Sequence, residues 1–112
     1  MASTFANFID NLQEHGGLKG VDIANFTDVS SATVHRWKSG DYSPQPKTQL
    51  LLATLHYIVG RLDQYYNPSE VRIWLYQPHP QLEDRRAIDV IVHGDPKEVI
   101  AIIDRMDSEA YL

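Results

Sequence analysis

The sequence of 112 residues contains no cysteine, which excludes disulfide bonds and thiolate metal sites. No apolar run approaches the roughly 20 residues that a membrane-spanning helix needs, and the first residues lack the basic and apolar stretches of a secretory signal. Hydrophobic residues make up 43% of the chain and charged residues 22%, as in an ordinary folded domain. We therefore expect a cytoplasmic protein without a membrane partner.

Arrangements of residues that would carry chemistry are also missing. The five histidines have no paired spacing on one helix face with a carboxylate nearby, so we predict no metal site. We find no nucleophile beside a base and no glycine-rich loop that could hold a phosphate. The sequence therefore predicts a binding protein with no cofactor and no catalytic residue.

Hydrophobic periodicity predicts helices along the chain and no strand, so we expect an all-α fold. The first helix stops at Gly16 and Gly17, because glycine tolerates the left-handed backbone after a helix end. The long helix from Lys47 to Tyr66 has an apolar face wide enough for several neighbours or for a second copy of the chain. The predicted core residues are Val29, Val34, Trp37, Leu51, Leu52, Leu55, Ile58, Val59, Leu62, Val71, Trp74 and Leu75.

Domain organisation follows from these helices. Residues 1–66 form an N-terminal helical bundle that includes the long helix, and residues 67–112 form a small helical domain. The second domain opens at Asn67, which is followed by Pro68 and Glu70, the pattern of a helix cap, a first-turn proline and a capping box. The charged stretch from Leu82 to Arg86 is predicted to be a connector.

The stretch from Val21 to Gly40 has the spacing of a helix-turn-helix. A short helix (residues 21–26) is followed by a polar turn at residues 27–28 and by a second helix (residues 30–38), which Ser30 caps and Gly40 closes. In such motifs the second helix enters the DNA major groove. The predicted DNA-binding residues are Ser31, Ala32, His35, Arg36, Lys38 and Lys47, with Ser43 as a further phosphate contact. Arg36 has the two-pronged donor set that suits guanine.

The charge of the chain opposes DNA binding, because phosphate neutralisation supplies much of the affinity of DNA-binding proteins. The net charge is −5, but residues 67–112 hold five basic and nine acidic residues, a net charge of −4. The stretch from residue 30 to 47 is mildly basic. This distribution fits either a DNA-binding half joined to an acidic partner-binding half, or an ordinary acidic domain. The helix-turn-helix therefore either reads DNA or serves only to pack the fold.

The motifs of the C-terminal half occur in a definite order. They are Glu70-Val71-Arg72-Ile73-Trp74-Leu75, Pro78-His79-Pro80, Leu82-Glu83-Asp84-Arg85-Arg86, Ala87-Ile88-Asp89-Val90-Ile91, Gly94, and Val99-Ile100-Ala101-Ile102-Ile103-Asp104-Arg105-Met106. This order resembles the toxin-binding domain of the Xre/MbcA/ParS antitoxins. The stretch from Ser30 to Gly40 resembles the Xre-type helix-turn-helix of the same proteins. The family often has a Leu-Gly-Gly turn where this chain has Leu82-Glu83-Asp84, and a proline before the short helix that here begins at Ala87.

The resemblance implies a function and a partner. Such antitoxins pair with RES-domain toxins, which degrade NAD, and their C-terminal segment blocks the active-site cleft of the toxin. Several also bind their own promoter, often as homodimers. By resemblance, the toxin-binding residues are Glu83, Asp84, Arg85, Arg86, Ser108, Glu109, Tyr111 and Leu112.

Other interpretations of the same residues stay open. The charge run from Glu83 to Arg86 is equally typical of a solvated turn. The stretch from Ser108 to Leu112 is predicted to be a short tail whose apolar end docks either into the toxin or on the last helix of the chain itself. The alternative function is a stand-alone transcriptional regulator whose C-terminal domain only forms the dimer.

Overall fold

The structure, a computed structural model, describes residues 4–110. Within these residues the fold is all-α apart from one small hairpin, which confirms the predicted class. The helices are α1 (Thr4–Gly16), α2 (Gly20–Thr27), α3 (Ser31–Ser39), α4 (Pro46–Leu62), α5 (Pro68–Tyr76), α6 (Ala87–His93) and α7 (Pro96–Ala110). The strands are β1 (Pro78–His79) and β2 (Arg85–Arg86), with a 3-10 turn at Pro80–Leu82 between them. No helix among the described residues is long and apolar enough to cross a membrane.

Helices α2 and α3 form where the sequence predicts a helix-turn-helix. The turn between them is made at Asp28, whose φ of 57° is left-handed. Ser30 caps α3, because its hydroxyl accepts the Thr33 N–H at 3.1 Å. Gly40 ends α3 with a φ of 85°, a conformation that glycine adopts without strain.

The end of α1 requires glycine for two reasons. Gly17 has a φ of 64°, as predicted, and a Cβ added there would lie 2.5 Å from the carbonyl oxygen of Pro68. The close approach brings the end of α1 against the start of α5. Asn67 begins α5 as predicted, since its side chain accepts the Glu70 N–H at 2.9 Å and the Glu70 carboxylate accepts the Asn67 N–H at 3.0 Å.

The wide apolar face of α4 is buried within the chain itself. It packs against α1, α2, α6 and α7, and one cluster of buried side chains runs through both predicted domains. Of the predicted core residues, Val29 and Leu51 are only partly buried and the others are buried. Several neighbours, rather than a second copy of the chain, therefore cover this face.

Helix α4 ends at Leu62, so the prediction that it reaches Tyr66 is wrong. The carbonyl of Leu62 accepts the N–H groups of both Tyr65 (2.9 Å) and Tyr66 (3.0 Å), which closes a tight turn. The turn is needed because α5 begins at Pro68. Tyr66 packs on the core as a partly buried side chain.

The expectation of no strand and of a simple connector at residues 82–86 is also wrong. Pro78 pairs with Arg86 and His79 with Arg85 in an antiparallel hairpin, and strands of two residues are too short to show alternation. Glu83 and Asp84, which form its turn, have φ values of 58° and 62°. Both therefore adopt the left-handed conformation that favours glycine, in the place of the Leu-Gly-Gly turn of the family that the chain resembles.

Helix α7 continues to Ala110, so Ser108 and Glu109 belong to its last turn and not to a tail. Both side chains are exposed. Tyr111 and Leu112 lie outside the described residues.

Candidate functional site

The outer face of α3 is the first candidate surface. Val34 and Trp37 are buried at 2% and 4% relative exposure, which fixes the rotation of the helix. Ser31, Ala32, His35 and Arg36 are consequently all exposed. This is the face that the sequence predicts to meet DNA.

A groove of about 930 Å³ opens beside this face. Arg36 and Lys47 both line it, as does Ser43, so three predicted DNA contacts from α3, the following loop and α4 converge there. The Arg36 guanidinium lies 5.7 Å from the centre of the Tyr42 ring, a cation–π distance. The apolar lining of the groove includes Phe26, Val29, Trp37, Leu51, Ile91 and Val92.

Lys38 is held away from these residues. Its Nζ donates to Gln13 Oε1 at 2.6 Å and lies 3.8 Å from Asp10 Oδ1, both on α1. The exposed ion pair is weak, yet the side chain is directed at α1. A phosphate contact by Lys38 would need these contacts to be exchanged.

The hairpin is the second candidate surface, and within the described part of the chain its two arginines are paired with nearby carboxylates while its two acidic residues are not. Arg85 donates to the Leu82 carbonyl at 2.8 Å and to Glu98 at 3.0 Å, which ties the hairpin to the first turn of α7. Glu83 and Asp84 are exposed at the tip and have no side-chain ion pair among the described residues.

Arg86 makes a two-pronged ion pair with Asp89, with donor–acceptor distances of 2.7 and 3.0 Å. The hydrogen bonds from Arg86 lower the pKa of the Asp89 carboxyl. Two guanidinium groups lie within cation–π distance of the Tyr76 ring, that of Arg72 at 4.7 Å and that of Arg86 at 5.6 Å from its centre. Arg86 is therefore fixed in place by neighbours on α5 and α6.

The predicted toxin-binding residues do not form a single patch. Arg85 contacts Glu98 at the start of α7, whereas Ser108 and Glu109 lie in its last turn. A rise of 1.5 Å per residue separates residues 98 and 108 by about 15 Å. The hairpin and the last turn thus lie at the two ends of α7.

A polar cluster, called the α4–α7 clasp below, was not predicted from the sequence. Its members are Tyr57, Arg61 and Tyr65, on or just after α4, and Asp104 and Asp107 on α7. The spacings of four on one helix and three on the other are visible in the sequence. Their pairing across more than 40 residues is not.

A second tie joins α2 to α5. Asp22 of α2 accepts the Lys19 N–H at 2.8 Å and the Arg72 Nη2–H at 3.0 Å. Burial alone would raise the pKa of Asp22, but these donors outweigh it and the pKa lies below its usual value. Among residues 4–110, no group of three or more histidine, aspartate or glutamate side chains is placed to hold a metal ion.

Comparison with known proteins gives relatives over almost the full length. No protein-family model matches the chain. The chain is 29% identical over 106 residues to the mycobacterial cidal antitoxin MbcA of Mycobacterium tuberculosis, and the match covers 95% of this chain and 90% of MbcA. MbcA of Mycobacterium bovis matches to the same extent. A probable mycobacterial cidal antitoxin of M. tuberculosis is 27% identical over 96 residues, or 86% of this chain and 82% of the relative.

A solved structure extends the similarity to the fold. One chain of the crystal structure of the M. tuberculosis MbcT–MbcA toxin–antitoxin complex superposes with a TM-score of 0.83 and 25% sequence identity. The superposition covers 98% of this chain and 99% of that one. The similarity is therefore to MbcA-type antitoxins, and both halves of the chain take part in it.

Proposed function

We propose that this chain is the antitoxin of a type II toxin–antitoxin pair and inhibits a RES-domain toxin that degrades NAD. The observation that carries the proposal is the superposition on a chain of a toxin–antitoxin complex over 98% of the length. The relatives are named antitoxins, and the sequence motifs resemble the same family. On this proposal the chain acts by binding and performs no catalysis.

The C-terminal segment would supply the inhibition. Ser108 and Glu109 are exposed in the last turn of α7, and only Ala110 separates them in the sequence from residues 111–112. Exposed side chains at the end of a helix are available to a partner without unfolding of the core. Glu83 and Asp84 at the hairpin tip would form a second contact. The neighbouring Arg85 is tied to Glu98, about 15 Å along α7 from residue 108.

Deletion of residues 108–112 tests the role of this segment. The described part of the segment is exposed, so the deletion should leave the unfolding temperature within a few degrees of the full chain. Inhibition of the co-expressed toxin should fall, as measured by NAD content and growth. Lys97→Ala, an exposed change in the first turn of α7, is the control and should inhibit fully. A truncated chain that still inhibits fully contradicts inhibition by this segment.

DNA binding by α3 is a second proposed activity, supported by its four exposed residues and by the convergence of Arg36 and Lys47 on one groove. Arg36→Ala should weaken binding to the promoter fragment by roughly 1–3 kcal/mol and relax base preference at one position. Lys38→Ala should change binding less, because Lys38 is held against α1. Equal losses in a gel-shift titration would remove Arg36 from the base-reading set.

A homodimer is proposed through the outer face of α4. Leu50 and Tyr57 are seven residues apart on this helix, two turns on one face, and are 70% and 49% exposed. Leu50→Glu should shift the sedimentation velocity to that of a monomer, while Gln64→Glu, at an exposed position just after α4, serves as control. A chain that is monomeric before the change contradicts the proposal.

The alternative is a stand-alone transcriptional regulator whose C-terminal domain only forms the dimer. Such a protein would bind a palindromic site with half-sites about one helical turn apart and would co-purify with no toxin. Whether a toxin co-purifies with the chain therefore separates the two functions.

A further inference from the structure

The last turns of α7 have little apolar contact with the rest of the chain. Ile102 and Ile103 are buried at 5% and 0% exposure, and among residues 104–110 only Met106 packs on the core, as a partly buried side chain. Residues 108–110 are exposed. Helix ends with few buried contacts open at free energies near zero, so another interaction has to hold this end of the helix in place.

The α4–α7 clasp supplies that interaction. Arg61 extends from the last turn of α4 with a side chain only 17% exposed, and its Nη2 donates to Asp104 Oδ1 at 2.9 Å. The same nitrogen donates to Asp107 Oδ2, and the Arg61 Nη1 donates to the Tyr57 hydroxyl at 2.8 Å.

Both oxygens of the Asp107 carboxylate are engaged, since the Tyr65 hydroxyl donates to Oδ1. The Tyr65 and Arg61 hydrogen bonds lower the pKa of this carboxyl, so it is ionised at neutral pH. The clasp therefore holds α7 at the residue that directly precedes Ser108.

We propose that Arg61 is a positioning residue for toxin binding, because it fixes the last turn of α7 against α4 and so orders residues 108–110 before the partner arrives. This inference rests on the proposed function. Arg61 itself lies in the clasp and need not touch the toxin. Ordering a single residue at the moment of binding costs about tenfold in affinity, so a frayed last turn should bind at least that much more weakly.

The test uses four full-length chains: wild type, Arg61→Ala, Arg61→Lys and Lys97→Ala. Their affinities are measured by calorimetry for the NAD-degrading protein that co-purifies with the wild-type chain. Amide hydrogen exchange is followed in each free chain. Arg61→Ala should bind at least about tenfold more weakly and exchange faster at residues 107–110, while the core amides of α1 keep their protection.

The other variants separate positioning from a general loss of charge or stability. Arg61→Lys keeps the charge but not the fork of donors, so it should recover part of the affinity and part of the protection. Lys97→Ala removes one positive charge from the first turn of α7 without touching the clasp and should match the wild type in both measurements.

Three results would overturn the inference. They are unchanged affinity of Arg61→Ala despite faster exchange at residues 107–110, weaker binding without faster local exchange, and equal loss of protection in the α1 core. A wild-type chain that binds no toxin refutes the proposed function instead, while the exchange data still report whether the clasp orders α7.

Discussion

The ion pair between Asp22 and Arg72 leads to a quantitative prediction about stability. Asp22, three residues after the N-cap Lys19 of α2, accepts the Lys19 N–H at 2.8 Å, and loss of such a hydrogen bond costs about 1 kcal/mol. The pair with Arg72 joins α2 to α5 at 3.0 Å. Because the Arg72 side chain is 41% exposed, solvent screening limits the pair to about 1 kcal/mol.

Two substitutions separate these contributions. Asp22→Asn keeps an oxygen for the Lys19 N–H and loses the charge, so it should lower the free energy of unfolding by about 1 kcal/mol. Asp22→Ala loses both and should cost about 2 kcal/mol, a fall in Tm of about 8 °C for a chain of this size. The exposed control Glu14→Ala should stay within about 0.5 kcal/mol of wild type.

The assay is urea unfolding followed by circular dichroism at pH 7 and at pH 3. The folded pKa of Asp22 is below the usual 3.8, so its contribution is present above that value and is lost as pH falls through the folded pKa. The difference between wild type and Asp22→Asn should therefore shrink at acid pH. Equal stability of Asp22→Ala and Asp22→Asn would contradict the contribution of the Lys19 hydrogen bond. A difference between wild type and Asp22→Asn that grows below pH 4 would contradict the contribution of the ion pair.

Three further predictions concern single positions, each measured by thermal unfolding. Gly17→Ala should lower the free energy of unfolding by roughly 2 kcal/mol or more, since Gly17 combines a left-handed φ with a close approach to Pro68. Gly20→Ala, with open space around it, should not destabilise the chain, and equal effects of the two changes would contradict this explanation. Glu83→Gly should raise the free energy of unfolding by up to about 1 kcal/mol, because it relieves the backbone strain of a left-handed residue, whereas Gln81→Gly should lower it. A destabilised Glu83→Gly chain would show that the side chain matters more than the backbone. Burial lowers the pKa of His56 below its usual 6.5, so the unfolded chain binds a proton more readily than the folded chain, and stability should fall as pH drops below 6.5. His56→Gln should remove this dependence of stability on pH, and a dependence that persists would assign it to another group.

Local signals in the sequence predicted most of the fold. The caps at Ser30 and Asn67, the glycine stops at Gly17 and Gly40, and the apolar periodicity are properties of neighbouring residues, and the structure confirms them. The hairpin was missed because its two-residue strands carry no periodicity, and because its turn uses Glu83 and Asp84 in a conformation that usually marks glycine.

The candidate surfaces were predicted less completely, for a physical reason. The rotation of α3, and with it the exposure of Arg36, follows from the buried Val34 and Trp37 on the opposite face. The direction of Lys38 toward α1, the Asp22–Arg72 pair and the clasp at Arg61 depend on contacts between residues 25 to 50 positions apart. Helical spacing does not encode such contacts, because they arise only after the helices pack.

The most direct test of the central claim is a pull-down of the tagged chain from its native host, followed by NAD-consumption assays on the co-purified protein. We expect a partner in fixed stoichiometry that consumes NAD when it is separated and stops when the chain is added back to the same ratio. A chain recovered alone or with DNA only, or a partner whose NAD consumption is unchanged by the chain, would contradict it.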